Sequence, residues 1–329
     1  MEFEYGSPFT GFALNELKRF LNSSGLSYDE NIEYTINFLQ DDEIIATGSL
    51  DKNVLKCIVV SPLHQGENLT ATLLSQLKQE AFRRGHEHLF LYTKPQNQQM
   101  FENLDFYPVA KTDSMLLMEN KRDGISDFVA SLEAPQDGTI GCIIANCNPF
   151  TLGHRYLIET AAAQCDWLHL FVLSEDRSLV PAKDRMELVK LGVSDLKNVL
   201  VHPSSDYLIS SASFPTYFLK EKASIPEVTC QLDLEIFKEH FARTLKITKR
   251  FVGTEPTCPV TGVYNQEMKK CLPAAGIEVI EIPRLESGNT AISASTVRTC
   301  WKNGDWETLS NLVPETTLSY LKTHGDLIQ

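Results

Sequence analysis

The chain has 329 residues, 43% of them hydrophobic and 22% charged, the balance of an ordinary globular protein long enough for two domains. A net charge of −13 excludes a nonspecific nucleic-acid or anionic-membrane binder, since both need a basic surface. No apolar stretch approaches a membrane span, the N-terminus MEFEYGSPFT lacks the regions of a signal peptide, and eight cysteines without a Cys-x-x-Cys pair read as free thiols of a reducing cytoplasm. Cys142 and Cys147 have no histidine cluster beside them, so no metal site is expected.

The first elements form an α+β pattern. Glu33–Leu39 and Ile44–Ser49 alternate in polarity around Asp41-Asp42 and predict a hairpin, with Val54–Val60 as a third strand. Asn68–Arg84 carries Leu69, Leu73, Leu77 and Ala81, a helical stripe. A strand over Leu89–Thr93, a short helix over Gln98–Asn103 and a strand over Phe106–Val109 follow. Turn-like segments at 120–124 and 134–138 bracket a short connecting helix from Ile125 to Leu132. The expected division is therefore a first domain over 1–124, a linker over 125–138 and a second domain over 139–329.

After the break, strand and helix alternate. Gly141–Ala145 leads to helix Arg155–Gln164, and Leu168–Leu173 to helix Lys183–Leu191. Val199–His202 precedes a long irregular stretch, Arg250–Gly253 and Glu278–Ile282 are further strands, and Ser293–Lys322 is helical. Alternating units of this kind imply a parallel sheet with ligands at the carboxyl ends of its strands. The loop 146–154 lies at such an end and opens a helix, where backbone N–H groups and an imidazole, His154, suit phosphate.

In the first domain, Gln65-Gly66-Glu67-Asn68 follows a strand and opens a helix, and resembles motif A of the GNAT acyltransferases. The segment Asn97 to Phe106 resembles the same family's segment that ends in Tyr-x-x-x-Gly-Phe, read here as Phe101 to Phe106. Asn68 stands where Gly or Ala is usual, and Phe101 stands where the family's catalytic tyrosine lies; a phenylalanine gives no proton. The resemblance thus implies a GNAT-like fold without acetyltransferase chemistry, with Gln65, Gly66 and Asn97 lining a groove for a pantetheine-type arm. His64, His86 and His88 sit in polar contexts and read as surface histidines.

In the second domain, Pro149-Phe150-Thr151-Leu152-Gly153-His154 resembles the nucleotidylyltransferase signature Pro-x-His/Thr-x-Gly-His. Ile292-Ser293-Ala294-Ser295-Thr296-Val297-Arg298 resembles that superfamily's second motif, Ile-Ser-Ser-Thr-x-x-Arg, with Ala294 replacing one serine. Either alone is weak: a Gly-His pair is common, and a Ser-rich turn before Arg is usually a helix cap. Together, opening two helices, they imply a Rossmann-like domain that binds ATP. His154, Thr151 and Arg298 are then the catalytic candidates. Asn148, Pro149, Phe150, Gly153, Ser293, Ser295 and Thr296 would contact the nucleotide, Gly153 by letting it approach the helix end. Lys183 and Arg185 are phosphate contacts in the family pattern, or merely a solvated first turn. Mg²⁺ would accompany the nucleotide.

Longer words narrow the resemblance. Asn146-Cys-Asn-Pro-Phe150-Thr-x-Gly-His-Arg-Tyr-Leu-Ile158, Ser205-Asp-Tyr-Leu-Ile209, Ser213-Phe-Pro-Thr-Tyr-Phe-Leu-Lys220, Gly253-Thr-Glu-Pro-x-Cys258 and Tyr264-Asn265-x-x-Met268 look like the citrate lyase ligase family, over nearly the whole chain. That resemblance implies an acid–thiol ligase. ATP and acetate give acetyl-adenylate and pyrophosphate, and the prosthetic-group thiol of the citrate lyase acyl-carrier protein then takes the acetyl group, releasing AMP. Asp206 and Tyr207 would border the acetate or the arm, or else simply pack. Glu255 and Asn265 would contact adenine or ribose, and Cys147 would be a packing residue. The alternatives are a simple adenylyltransferase acting on a phosphate ester, an acetyltransferase with an ATP-sensing domain, and a non-enzymatic nucleotide sensor.

Overall fold

A computed structural model describes residues 2–135, 137–176, 178–210, 212, 225–255, 259–288 and 290–328. Its contacts form two compact units, Met1–Ile125 with Ser211–Glu235, and Ser126–Ser210 with Ile236–Gln329. This grouping differs from a single cut at 125–138, because residues 211–235 join the first unit.

The first unit is built on a seven-stranded mixed sheet. Its elements are β1 (Glu2–Gly6), α1 (Gly11–Ser23), β2 (Tyr34–Gln40), β3 (Glu43–Asp51), β4 (Val54–Val60), α2 (Leu69–Arg83), β5 (Phe90–Thr93), α3 (Gln98–Glu102), β6 (Tyr107–Lys111) and β7 (Leu116–Glu119). The strand order is β1-β2-β3-β4-β5-β7-β6. Asp41 and Asp42, at φ 51° and 63°, form the two-residue turn between Gln40 and Glu43; paired positive φ values match the twist of a tight hairpin. The α2 stripe is buried as the spacing predicts, and Leu73 and Leu77 fill the space above Gly48 of β3. Burial of each such leucine stabilises by roughly 1.5–3 kcal/mol. β4 and β5 run parallel but pair only at Val54–Phe90 and Leu55–Leu91. Beyond that point they part, with Cys57 of β4 at φ 53°, and a cavity opens between them.

A helix, α4 (Gly124–Ala130), leads into the second unit. Here five strands are all parallel: β8 (Ile140–Ala145), β9 (Trp167–Val172), β10 (Val199–Pro203), β11 (Lys249–Gly253) and β12 (Glu278–Ile282), in the order β10-β9-β8-β11-β12. The chain winds outward from β8 through α5 (Leu152–Ala162) and α6 (Ala182–Gly192), then returns to the other side of β8. The reversal leaves a crevice at the carboxyl ends of β8 and β11, the usual ligand position in such sheets.

The stretch expected to be irregular is partly helical. It holds α7 (Ile225–Ile236), a π-helical turn over Phe237–Ala242 and α8 (Pro259–Cys271). Cys230, Leu232, Asp233, Leu234 and Ile236 are all buried, so α7 lacks the one-sided stripe that marks a surface helix. A two-stranded hairpin, β13 (Glu286–Ser287) and β14 (Thr290–Ala291), precedes the end of the chain. The C-terminal helical region is three helices, α9 (Ala294–Asn303), α10 (Trp306–Ser310) and α11 (Glu315–Thr323). Gly304 at φ 68° ends the first, Asp305 caps the second, and Pro314 separates the third.

Candidate functional sites

The loop after β8 turns through Cys147, buried at φ 51°, and the cis Asn148–Pro149 peptide, and enters α5 at Thr151. Thr151 is the N-cap: its hydroxyl accepts from the His154 amide at 3.2 Å. In return His154 Nδ1 accepts from the Thr151 amide at 3.1 Å and lies 2.9 Å from the Thr151 hydroxyl. This is a capping box with histidine in the usual place of glutamate. An Nδ1 that accepts a backbone N–H cannot carry the proton, so the hydrogen bonds assign it to Nε2. Phe150 stacks on the imidazole, centroids 6.0 Å apart. Burial, and after it the charge of Arg284, push the His154 pKa down to about 4. At neutral pH His154 is an uncharged N–H donor with a fixed ring.

The second motif meets the first. Arg298 on α9 donates to the Asn148 carbonyl at 2.6 Å. Ser293 caps α9, accepting from the Thr296 amide at 3.1 Å, and its oxygen lies 2.9 Å from the Ser295 hydroxyl and 2.8 Å from that of Thr296. Three hydroxyls thus cluster at a helix start, where the dipole and the spare amides favour an anion.

Several expected contacts have other roles. A side chain on Gly153 would come within 3.0 Å of the Ile292 carbonyl. The absent side chain therefore admits the segment leading into the second motif. Phe150 is fully buried, its ring occupying the space beside Gly192, so it is a core residue that backs His154 rather than a nucleotide contact. Pro149 is buried at the root of the loop. Arg185, expected on phosphate, is also fully buried: Nε donates to Val180 O, one terminal nitrogen to Asn146 O and Oδ1, and the other to Glu175 O. Its guanidinium ties two loops together, spending four of its five N–H groups on them. Lys183, one residue into α6, is exposed. Asn148 also accepts through Oδ1 from the Val180 amide at 3.0 Å. Tyr207 is buried against Phe128, centroids 5.7 Å apart, which is the packing alternative; the Asp206 carbonyl accepts from Ser210. Cys147 is packed, and burial raises its thiol to about 12. The segment 213–220 and residues 256–258 lie outside the described residues.

Two residues at this end of the sheet escape sequence reasoning in their actual role. Arg284, just beyond β12, donates from Nε to the Thr254 carbonyl at 2.7 Å and from a terminal nitrogen to Glu255. Glu255 therefore meets a guanidinium, and Asn265 donates to the Gly253 carbonyl at 3.1 Å. Only the order Glu255, then an arginine after the next strand, hints at this pair.

In the first unit, the cavity between β4 and β5 measures about 890 Å³. Gln65, Gly66, Asn68, Asn97 and Phe101 all line it. Gly66 at φ 95° and Asn68 at φ 61° turn the chain into α2, whose first turn has no side-chain cap. Asn97 donates to the Thr93 hydroxyl at 2.9 Å. Phe101 is a core side chain, 3% exposed. His64 lies 3.2 Å from Glu67, as a surface histidine does. His88 differs: its Nε2 lies 2.6 Å from the buried Glu119 carboxylate.

Each unit matches a known family. Residues 140–321 match the citrate lyase ligase C-terminal domain, and residues 6–107 match the acetyltransferase (GNAT) family. The citrate (pro-3S)-lyase ligase of Klebsiella pneumoniae is 44% identical over 312 residues, covering 93% of this chain and 91% of the relative. That of Escherichia coli K12 is 42% identical over 315 residues, 93% and 90%. That of Haemophilus influenzae is 40% identical over 321 residues, 95% and 96%. A GNAT-like unit and a parallel-sheet unit carrying both motifs, matched over nearly full length, place this chain in the citrate lyase ligase family.

Proposed function

We propose that the chain is the ATP-dependent ligase that acetylates the carrier thiol of citrate lyase, with adenylation carried out at the starts of α5 and α9. The observation that carries the adenylation site is the meeting of the two motifs through Arg298 and the Asn148 carbonyl. ATP lies with its triphosphate over the hydroxyls of Ser293, Ser295 and Thr296 and under Arg298. These oxygens are also of the kind Mg²⁺ accepts, so Ser293, Ser295 and Thr296 would hold an ion brought by the nucleotide, which would offset the charge of the departing pyrophosphate. An acetate oxygen attacks the α-phosphorus, the bond to the bridging oxygen of the β-phosphate breaks, and pyrophosphate leaves with that electron pair.

Catalysis of this step is positioning and electrostatics. The His154 Nε2–H donates to an α-phosphate oxygen as charge builds there. Its Nδ1 is held by Thr151, so the donor needs no reorganisation. In the second step the carrier thiol loses its proton to solvent and its sulfur attacks the acetyl carbonyl. The carbon–oxygen bond to phosphate breaks, and AMP leaves. The cavity of the first unit takes the pantetheine-type arm, with the Gly66–Asn68 turn at its phosphate end. Phe101 offers no proton there, so this unit binds the arm without transferring acetyl groups from coenzyme A. Acetate-dependent ATP–pyrophosphate exchange tests the adenylation half. Exchange without acetate, with AMP joined to a phosphate ester, favours the simple adenylyltransferase instead.

A further inference from the structure

We infer that Arg284 is a second cationic catalytic residue of the adenylation site, gripping one α-phosphate oxygen, and that Glu255 is its positioning residue. The inference rests on the ligase reading and adds to it a residue outside both motifs.

Thr254 follows β11, and its amide donates to Ile282 O at the end of β12 at 3.0 Å. Arg284 stands two residues beyond, and its own amide bonds the Thr254 hydroxyl at 3.3 Å. The next residue, Leu285, accepts from the Ile292 amide at 2.9 Å, closing the hairpin. Ile292 is the residue whose carbonyl sits over Gly153 at the start of α5. Arg284 is therefore fixed to the end of β11, beside β8, and to the base of the hairpin that packs on the His154 turn.

Arg284 spends Nε on the Thr254 carbonyl and one terminal nitrogen on Glu255. The other terminal nitrogen has no partner among the described residues. Its side chain is 26% exposed, while that of Glu255 is 9% exposed. Arg298 is arranged in the same way, anchored by one main-chain carbonyl with donors to spare. Two anchored guanidiniums thus stand at the carboxyl ends of adjacent strands, each with an unspent N–H. The proximity of Arg284 to His154 shows in the imidazole, whose pKa it helps to lower. A structural ion pair alone would explain the contact with Glu255. It would not explain a cation kept beside a histidine that is held neutral, in a crevice of this topology. The place of Arg284 beside His154, the donor to the α-phosphate, is why that phosphate rather than acetate is assigned.

The test uses the full-length protein and acetate-dependent ATP–pyrophosphate exchange, with KM measured for ATP and for acetate. R284A is expected to lose about 10²-fold in kcat. R284K, which keeps charge but loses the anchored fork, is expected to lose about tenfold. Guanidinium chloride at millimolar levels is expected to restore part of the R284A rate while leaving wild type unchanged, a rescue that a purely structural arginine would not show. Thermal unfolding identifies any variant that fails to fold, in which case R284K decides. Exchange within about twofold of wild type in a folded variant, or a rise confined to the acetate KM, would overturn the assignment. A wild-type protein without acetate-dependent exchange contradicts the ligase reading instead, which is a different result.

Discussion

Arg298 donates to the carbonyl oxygen of Asn148 across 2.6 Å, joining residues 150 positions apart. One amino group of the fork is thereby anchored, and the rest remains for phosphate. Lysine has a single point of charge and cannot do both. Arg298→Lys should lose at least tenfold in exchange rate, and Arg298→Ala more. An exposed salt bridge would be worth at most roughly 1 kcal/mol of stability and nothing to the rate. Wild-type exchange in the alanine variant would remove Arg298 from the site.

His154→Ala should lower kcat for adenylation by about 10²-fold, with ATP affinity changed far less, because the donor matters most as charge develops. His154→Asn keeps an N–H donor but not the reciprocal bond with the Thr151 amide, and should fall between. Kinetics at saturating ATP check this. An unchanged kcat with a raised KM would make His154 a ground-state contact.

Gly153→Ala separates catalysis from stability. Alanine is favoured over glycine in a helix by about 1 kcal/mol. Against this, the new methyl group meets a main-chain oxygen at 3.0 Å, an overpacking that costs about 1–3 kcal/mol. The balance is a loss of about 0–2 kcal/mol, so the thermal midpoint should hold or fall modestly. The start of α9 must shift, however, and exchange should fall at least tenfold. Full activity in a folded variant would show that the contact does not position the second motif.

Acid should destabilise the second unit before its carboxylates titrate. Burial pushes His154, His169 and His202 each down to about 4, from an ordinary 6.5. The last two share a 2.9 Å hydrogen bond and are nearly inaccessible. The unfolded chain binds more protons than the folded one between pH 6.5 and 4. Stability is therefore fully present above about 6.5 and falls as the pH drops toward 4. At pH 5 each buried histidine should cost on the order of 2 kcal/mol relative to pH 7. Urea denaturation at the two pH values checks the sign. Equal or greater stability at pH 5 would contradict the buried neutral imidazoles, and His169→Gln should reduce the dependence.

Gly66 in the first unit sits at φ 95°, a conformation a branched side chain resists. Gly66→Val should impair transfer to the carrier thiol and leave acetate-dependent exchange near wild type. Equal loss of both half-reactions would detach the β4–β5 cavity from the carrier arm.

The strand–loop–helix around 140–162 was legible because an apolar run, a cap and a glycine occur together, and the capping pair Thr151 and His154 is local in sequence. The Asp41-Asp42 hairpin and the α2 stripe were legible for the same reason. What eluded sequence reasoning depends on distant packing. β1 and α1 precede the first alternating run, and β7 is buried at every residue, so it has no alternation to detect. α7 is buried on several sides. The positions of Arg185, Phe150 and Gly153 follow from contacts with 146, 192 and 292, which no local pattern specifies. The same holds for Arg284, whose partners lie about thirty residues back, at the end of the neighbouring strand.

The central claim is that acetate is adenylated and its acetyl group passed to a carrier thiol. The most direct measurement incubates the protein with ATP, Mg²⁺, labelled acetate and deacetylated citrate lyase, following pyrophosphate, AMP and label on the carrier subunit. The account predicts pyrophosphate only when acetate is present, AMP in equal amount, label on the carrier thiol, and recovery of lyase activity. Pyrophosphate released without acetate, or AMP retained on an acceptor while the carrier stays unlabelled, would contradict it.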